Sequence, residues 1–275
     1  MKTSLVVSTP GARFSALVFR DSFSNSLARV ASLGFDGVEL AVRDPRMVNP
    51  AEIARLAEEH RLEVCAIGTG QAYGEDGLSF TDPDPSVRER AIHRIREHLA
   101  LAWELRAIVI LGLIRGKRPP EMPEAEARRL MICGFEACAE EAAKLGVNMV
   151  IEPINRYETN LLNTVGETLE VLDELGSSHL GILLDTFHMN IEEPSIAENI
   201  RAAGNRIKHV HAADSNRWAP GFGHLDFHEI VNELRSSGYD GFLSAEILPY
   251  PDPDTAARKA VETLADVLKF RGAGK

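Results

Sequence analysis

Four short apolar segments in the second half of the chain each end on a side chain that can bind a metal ion. The segments are VNMVIE, LGILLD, RIKHVH and GFLSAE, and their last residues are Glu152, Asp185, His211 and Glu246. If each segment is a buried strand of a parallel α/β barrel, these side chains lie at the carboxyl ends of strands, where such barrels form their active sites. Three carboxylates and one imidazole suit a hard divalent cation better than zinc or copper. We therefore expect a bound divalent cation, Mn²⁺ in the first place and Mg²⁺ or Co²⁺ as alternatives.

The rest of the sequence shows the alternation of strand-like and helical segments that such a barrel needs. Short apolar or β-branched segments alternate with longer segments of helical period, a pattern typical of βα units around a parallel sheet. Successive candidate ligands are 33, 26 and 35 positions apart, each about the length of one βα unit. We therefore predict an α/β fold, a single (β/α)8 TIM barrel domain over residues 1–275. Its eight strands are predicted at residues 4–8, 37–40, 62–67, 107–113, 147–152, 180–185, 206–211 and 241–247.

A long helix is predicted between the third and fourth strands. Apolar side chains recur there at helical spacing, at Val87, Ala91, Ile95, Leu99 and Ala102. Ser86, which follows two Asp-Pro pairs, is the predicted N-cap. This helix should pack on the outside of the barrel, with Trp103 in the core and His98 on the surface.

Composition limits the classes of function. With 275 residues and 44% hydrophobic residues, the chain can form a substantial core. Its formal net charge of −11 argues against nucleic acid as a partner, because phosphate recognition needs clustered Lys and Arg. No segment approaches the roughly 20 apolar residues that span a bilayer, and the N-terminus lacks a signal-peptide pattern. We therefore expect a cytoplasmic protein with no membrane partner, whose three cysteines are reduced core residues.

The sequences around the four candidate ligands resemble a known enzyme family. The segments EPINRYE (152–158), DTFHMN (185–190), HAADSNRWAPGFGH (211–224) and AEILP (245–249) look like those of metal-dependent ketose 3-epimerases, the relatives of D-tagatose and D-allulose 3-epimerases among the xylose-isomerase-like TIM barrels. Three further segments resemble the subgroup that epimerises 5-keto-L-gluconate, a keto sugar acid: VRDP (42–45), CAIGTGQAY (65–73) and GLIRGKR (112–118). The resemblance thus extends over nearly the whole chain.

The resemblance implies a role for each matching position. The family's metal ligands match Glu152, Asp185, His211 and Glu246, and its substrate-contacting residues match Glu158, His188 and Arg217. It implies a carbohydrate epimerase, an isomerase that acts on a small-molecule sugar or keto sugar acid, of the type that converts 5-keto-L-gluconate to D-tagaturonate. His209 lies two positions before His211, so a strand would place it on the same inward face, where it should orient a ligand rather than bind the metal. A homo-oligomer is compatible with the sequence, since symmetric assemblies are common.

The candidate residues also fit the chemistry of epimerisation. Inverting a carbon next to a ketone requires removal of its proton on one face and return of a proton on the other, so two acid–base groups are needed. The fifth and eighth strands lie three places apart around the ring, so Glu152 and Glu246 should face each other across the barrel mouth. The metal would stabilise the negative charge of a cis-enediolate between them.

A keto acid substrate needs a positive charge to receive its carboxylate. Arg115 follows the fourth predicted strand and Arg43 follows the second, which puts both near the catalytic end of the barrel. We expect one of them to bind the carboxylate. The alternative is that both are basic residues on a solvated loop without a role in binding. If neither does, a neutral ketose such as tagatose, fructose, allulose or ribulose is the alternative substrate.

Other functions of the same fold remain open at the level of sequence. A sugar isomerase or a dehydratase of the superfamily would use a similar metal site, because a fold does not fix a reaction. A DNA-repair barrel that cleaves phosphodiesters would need more histidines and a basic groove. A sugar-binding protein without turnover would result if one of the two glutamates failed to reach the site.

Overall fold

Eight parallel strands form a closed barrel whose strand order follows the chain, with β1 paired to β8. The computed structural model describes residues 1–9, 15–20 and 22–270. The strands are β1 (Lys2–Ser8), β2 (Gly37–Ala41), β3 (Glu63–Gly68), β4 (Ile108–Leu111), β5 (Met149–Ile151), β6 (Leu180–Asp185), β7 (Ile207–His211) and β8 (Phe242–Ala245). The predicted fold class, an α/β fold with a single (β/α)8 TIM barrel, is confirmed.

Helices surround the barrel and connect its strands. In the described part of the chain they are α1 (Phe23–Leu33), α2 (Pro50–His60), α3 (Gly70–Gly74), α4 (Pro85–Leu105), α5 (Glu124–Leu145), α6 (Val165–Leu175), α7 (Thr186–Glu192), α8 (Ile196–Ala203), α9 (Phe227–Ser236) and α10 (Pro253–Lys269). Local sequence explains where several begin. An Asn or Asp cap followed by proline starts α2, α4 and α10, and the capping box of Thr164 and Glu167 starts α6.

The predicted strands are all present, and their ends differ from the predicted ones by at most two residues. The strand at 180–185 was predicted with its observed bounds. The fourth strand is shorter than predicted, because a 3₁₀ turn at Leu113–Arg115 takes over after Gly112. Two irregularities interrupt the pairing register, between Val38 and Glu39 in the β2–β3 pair and between Ile182 and Leu183 in the β6–β7 pair.

The long helix α4 corrects three details of the sequence interpretation. Its N-cap is Asp84, not Ser86, because the Asp84 carboxylate accepts the Ser86 N–H at 2.8 Å. Trp103 was predicted in the core but is 61% exposed. His98 was predicted on the surface, yet it is fully buried and bonds the carbonyls of Arg94 and Val42.

The cysteine prediction holds only in part. Cys138 is buried and Cys65 is partly buried in β3, but Cys133 lies on the exposed side of α5. All three are free thiols. Within the described residues, every helix is too short or too polar to cross a membrane.

Candidate metal centre and active site

Four side chains meet at the carboxyl end of the barrel, each delivered by a different strand. Asp185 and His211 are the last residues of β6 and β7, and Glu152 and Glu246 directly follow β5 and β8. One ligand atom from each lies within 4.8 Å of the others. Glu152, Asp185 and His211 are buried, and Glu246 retains 12% side-chain exposure. The structure therefore brings together the four residues that the sequence placed at successive strand ends.

The cluster has the features of a cation site. Asp185 Oδ2 and His211 Nδ1 are buried and have no hydrogen-bond partner among the described residues. Asp185 uses its other oxygen to cap α7, accepting the Phe187 N–H at 2.7 Å. His211 Nδ1 faces Glu152 at 3.3 Å, Asp185 at 3.7 Å and Glu246 at 3.9 Å. Three buried carboxylates that converge on an unpaired ring nitrogen are costly unless a cation joins them, so these residues fit a divalent metal ion.

Burial and mutual charge set the protonation of this cluster. Burial raises the pKa of Glu246 to about 7, although the nearby charges of His211 and Arg217 oppose the rise. Burial alone would lower the pKa of His211, but the carboxylates of Glu39 and Glu246 raise it well above its usual value. Without a cation, the centre thus contains a carboxyl group that can hold or release a proton near neutral pH.

The three residues expected to contact substrate border the same centre. Arg217 donates to Glu158 at 3.0 Å and to Glu246 at 2.9 Å, so it links a candidate substrate contact to a candidate acid–base group. His188 Nε2 lies 3.7 Å from Asp185 and 4.0 Å from Glu152. Glu158, His188 and Arg217 all line one cavity, of about 230 Å³.

Asn155 is a functional candidate that the sequence interpretation missed. It is buried, and its amide N–H₂ lies 2.7 Å from His188 Nδ1 and 3.1 Å from Glu158 Oε1. Its amide oxygen accepts the Tyr157 N–H, which fixes the orientation of the group. An amide nitrogen can only donate, so neutral His188 carries its hydrogen on Nε2, toward the metal centre. Its place inside the NRYE segment was the only available signal.

Glu39 is the second residue that was missed. It lies in β2, is 2% exposed and contacts both His209 and His211. His209 does face inward beneath His211, as predicted, but its Nε2 bonds Glu39 at 2.8 Å and no ligand directly. A lone acidic residue inside the apolar segment GVEL was the signal that could have found it.

The loop after β7 holds Arg217 in place. The Asp214 carboxylate accepts the N–H groups of Ser215 at 2.8 Å, Gly221 at 2.7 Å and Leu225 at 3.2 Å. Arg217 itself adopts a left-handed backbone, with φ of 62°. Its N–H donates to the Asp214 carbonyl, and its carbonyl accepts the Leu248 N–H. The loop is therefore wound around one buried carboxylate.

Two segments of the rim complete the cavity wall. One runs from Gly68 through Gln71 to Glu75, and the other comprises Gly112 and Leu113 after β4. A methyl group on Gly112 would lie 2.8 Å from Glu152 Oε2, so only glycine leaves room for that carboxylate. The two rim segments overlap the sequence segments 65–73 and 112–118, which resemble the subgroup that epimerises 5-keto-L-gluconate.

Arg43 and Arg115 are not among the described residues that line the cavity, so the predicted carboxylate contact stays a prediction that this geometry does not favour. Arg115 is fully buried, and its guanidinium turns to the backbone carbonyls of Gly112, Leu161 and Leu162. Arg43 instead pairs with Glu75 at 3.0 Å and with Asp76. Among the described residues that line the cavity, the only Arg or Lys is Arg217.

Comparison with known proteins agrees with this geometry. The sequence profile of the xylose isomerase-like TIM barrel family matches residues 27–267. An L-ribulose 3-epimerase from Methylomonas sp. (strain DH-1) is 32% identical over 228 residues, covering 80% of this chain and 77% of that protein. A D-psicose 3-epimerase from Agrobacterium fabrum (strain C58 / ATCC 33970) is 30% identical over 230 residues, covering 82% and 78%.

A solved structure shows the same similarity in three dimensions. The crystal structure of a D-allulose 3-epimerase from Methylomonas sp. in complex with D-allulose has a TM-score of 0.80 to this chain at 27% identity. The match covers 96% of this chain and 97% of that one. The chain therefore belongs to the xylose isomerase-like TIM barrel family and, as a relative of its ketose 3-epimerases, is a sugar epimerase.

Proposed function

We propose that the protein is a divalent-metal-dependent epimerase that inverts the carbon next to the ketone of a keto sugar. The observation that carries this proposal is the pairing of Glu152 and Glu246 in one buried centre, on strands three places apart in the ring. Two carboxylates on opposite sides of a substrate carbon are what a two-face proton transfer requires. An aldose–ketose isomerase needs proton transfer on one face only.

The proton steps follow from the two glutamates. One takes the proton from the carbon next to the ketone, which leaves an enediolate, and the other returns a proton to the opposite face. Glu246 belongs to the same cluster as Glu152 and accepts a hydrogen bond from Arg217 at 2.9 Å, so it is held in place for one of the two proton transfers. Which glutamate begins depends on which epimer enters.

Arg217 and His188 position the reacting sugar next to the acid–base groups. Arg217 bridges Glu158 and Glu246, so a hydroxyl bound by this pair stays close to one acid–base group. His188 presents an Nε2–H that can donate to a sugar oxygen. A divalent cation bound by Glu152, Asp185, His211 and Glu246 would stabilise negative charge on the sugar oxygens, and we expect Mn²⁺ because of the oxygen-rich ligand set.

For the substrate we propose a keto sugar acid of the 5-keto-L-gluconate type. The two cavity-wall segments, around Gly68–Gln71 and at Gly112–Leu113, belong to the parts of the sequence that resemble this subgroup. The second candidate is a neutral ketose. It is favoured by Arg217 being the only Arg or Lys among the described lining residues, and by its existing pairing with two glutamates.

A single panel of substrates tests these proposals. Chelator-treated protein, with and without added Mn²⁺, is incubated in D₂O with 5-keto-L-gluconate, D-tagaturonate, D-tagatose, D-fructose and L-ribulose. We expect metal-dependent formation of an epimer that carries deuterium at the inverted carbon, with the keto acids turned over faster than the neutral ketoses. An aldose product or loss of water would reject epimerisation. A preference for neutral ketoses would reject only the keto acid.

A further inference from the structure

A buried carboxylate lies behind the metal centre, on the far side of its histidine. Glu39 Oε1 and Oε2 are each 3.1 Å from His211 Nε2, the ring nitrogen that points away from the ligand cluster. The same carboxylate is 2.8 Å from His209 Nε2. Glu39 and both imidazoles are at most 2% exposed. Glu39 is therefore enclosed between two histidines.

The barrel is locally adapted to this contact. Glu39 comes from β2, whereas both histidines come from β7, three places away around the ring. The strand register shifts beside Glu39 in the β2–β3 pair, and it shifts again next to His209 in the β6–β7 pair. Such bulges near functional sites re-aim side chains. Here they accompany three inward polar side chains that bond across the barrel interior.

The hydrogen-bond chemistry assigns a tautomer. A carboxylate can only accept, so His211 Nε2 must carry its hydrogen toward Glu39. The lone pair of the neutral ring is then on Nδ1, the atom that faces Glu152, Asp185 and Glu246. The ring cannot rotate away without leaving the Glu39 carboxylate buried beside only one donor.

We propose that Glu39 is a positioning residue of the metal centre, which fixes the ring orientation and the Nε2–H tautomer of His211 so that Nδ1 is presented to a divalent cation. This inference rests on the proposed metal site of Glu152, Asp185, His211 and Glu246. His209 donates the second hydrogen bond and thereby keeps the carboxylate in place. Glu39 contacts neither the metal nor the reacting carbon.

A competing assignment would make Glu39 a metal ligand itself. Ligand atoms of Glu39, Cys65 and His209 also lie within 4.8 Å of one another. However, the Cys65 thiol contacts Ser4 Oγ and the Val38 carbonyl, each at 3.3 Å, and the Glu39 oxygens face imidazole nitrogens. These groups are thus already engaged with partners of the chain, which favours the positioning role.

The test measures Mn²⁺ binding, not turnover. Chelator-treated wild type, Glu39→Gln and Glu39→Asp are titrated with Mn²⁺ by isothermal calorimetry. We expect one ion per chain in the wild type and a Kd raised about 10- to 100-fold by Glu39→Gln, as for loss of a partner that orients a metal-bound histidine. Glu75→Gln is the matched control, because Glu75 lines the same cavity but pairs with Arg43. It should change the Kd less than about threefold, as expected for a screened charge.

Each outcome has a separate meaning. An unchanged Kd in Glu39→Gln, or an equal loss in Glu75→Gln, rejects the positioning role. Two ions per chain in the wild type, with one lost in both Glu39→Gln and Cys65→Ala, makes Glu39 a ligand and also overturns it. If Glu39→Gln fails to fold, Glu39→Asp decides, and a near-native Kd there rejects the proposal. Wild type that binds no divalent ion contradicts the proposed metal site itself.

Discussion

At the scale of single residues, function in this protein depends on which atom of a side chain faces the cavity. His188 and His211 each have one ring nitrogen engaged by a neighbour, Asn155 and Glu39 respectively. The other nitrogen is left for the ligand cluster or the substrate. Asp185 divides its oxygens in the same way, one to cap α7 and one toward the cluster. Partner residues thus determine what the candidate site residues can do.

The two glutamates should be separable by isotope exchange. Glu152→Gln and Glu246→Gln should each lower net epimerisation by about 10²- to 10⁴-fold, the usual contribution of an acid–base group. One of them should still exchange the substrate's proton with D₂O, because the remaining glutamate can remove and return it on its own face. Mass spectrometry of recovered substrate measures this. Near-native epimerisation by both variants contradicts the two-face mechanism.

The tautomer of His188 can be tested through Asn155. Asn155→Asp keeps the shape but replaces a donor by an acceptor, so it forces the His188 hydrogen onto Nδ1. Asn155→Ser leaves the tautomer free. We expect kcat/KM to fall on the order of 10²-fold in Asn155→Asp and less in Asn155→Ser, because a wrong tautomer removes a substrate contact. If Asn155 only fills space, the isosteric Asp variant should be the milder of the two.

At the scale of elements, loops and strand ends decide how exactly the side chains are held. The loop that carries Arg217 is organised by Asp214, and the end of β4 leaves room for Glu152 only because residue 112 is glycine. The ends of β5 to β8 supply the four clustered side chains. Changes at these positions should therefore alter the site while the barrel remains folded.

Gly112→Ala is the sharpest such change. The new methyl group would lie 2.8 Å from Glu152 Oε2, a contact that the carboxylate must move to relieve. We expect kcat/KM to fall about 10- to 100-fold through displacement of this carboxylate, with secondary structure retained by circular dichroism. The control is Gly166→Ala in the first turn of α6, where the nearest atom is 4.0 Å away. A loss of activity in both variants contradicts this explanation.

Asp214 should make the stability of the folded protein depend on pH in the acidic range. Burial would raise its pKa, but N–H donors from Gly223, Ser215 and other loop residues outweigh burial and lower it. Because the pKa of Asp214 is lower in the folded than in the unfolded chain, the carboxylate stabilises the fold. This contribution is complete above the unfolded-state pKa of about 3.9, and it is lost as the pH falls through the folded-state pKa. Asp214→Asn should therefore cost about 2–3 kcal/mol at pH 7, as for lost charge-assisted bonds.

The difference in stability between wild type and Asp214→Asn should become smaller below pH 4, because the wild-type carboxylate is then protonated and loses its charge. Thermal unfolding of both proteins across the pH range measures the gap. Asp226→Asn is the control, since asparagine caps helix α9 as well as aspartate does. A gap that is independent of pH contradicts the role of the charged carboxylate.

At the scale of the whole molecule, the centre joins β5, β6, β7 and β8, half of the barrel. Three carboxylates that are brought together by folding repel one another, so folding and metal binding should be coupled. A saturating ion at 100 times its Kd should add about 2.7 kcal/mol of stability and raise Tm by roughly 5 °C for a chain of this size. Differential scanning calorimetry with Mn²⁺ and with chelator measures this shift. Asp185→Asn should lose most of it, and an equal shift in that variant places the ion elsewhere.

Several whole-molecule expectations stay predictions. They are a single domain over residues 1–275, a cytoplasmic location, a homo-oligomeric assembly and the lack of a nucleic-acid or membrane partner. The charge of −11 supports only the exclusion of a duplex-binding surface.

The sequence by itself determined the barrel and the location of its centre. Strands and helices are read from local periodicity, and four ligand-type residues at successive strand ends need no knowledge of packing, because all parallel strands end on the same side. The same local reasoning failed for His98 and Trp103, since a helical period does not say how far the buried face extends around a long helix.

Only the tertiary structure decided which polar side chains reach the cavity. Arg43 and Arg115 both follow strands at the catalytic end of the barrel. However, Arg43 pairs with nearby acidic side chains, and the buried Arg115 donates to backbone carbonyls. The roles of Glu39 and Asn155 could not be inferred from their local sequence, because their partners lie 172 and 33 positions away. Contacts across a barrel depend on strand register and side-chain direction together, and neither is encoded in a local pattern.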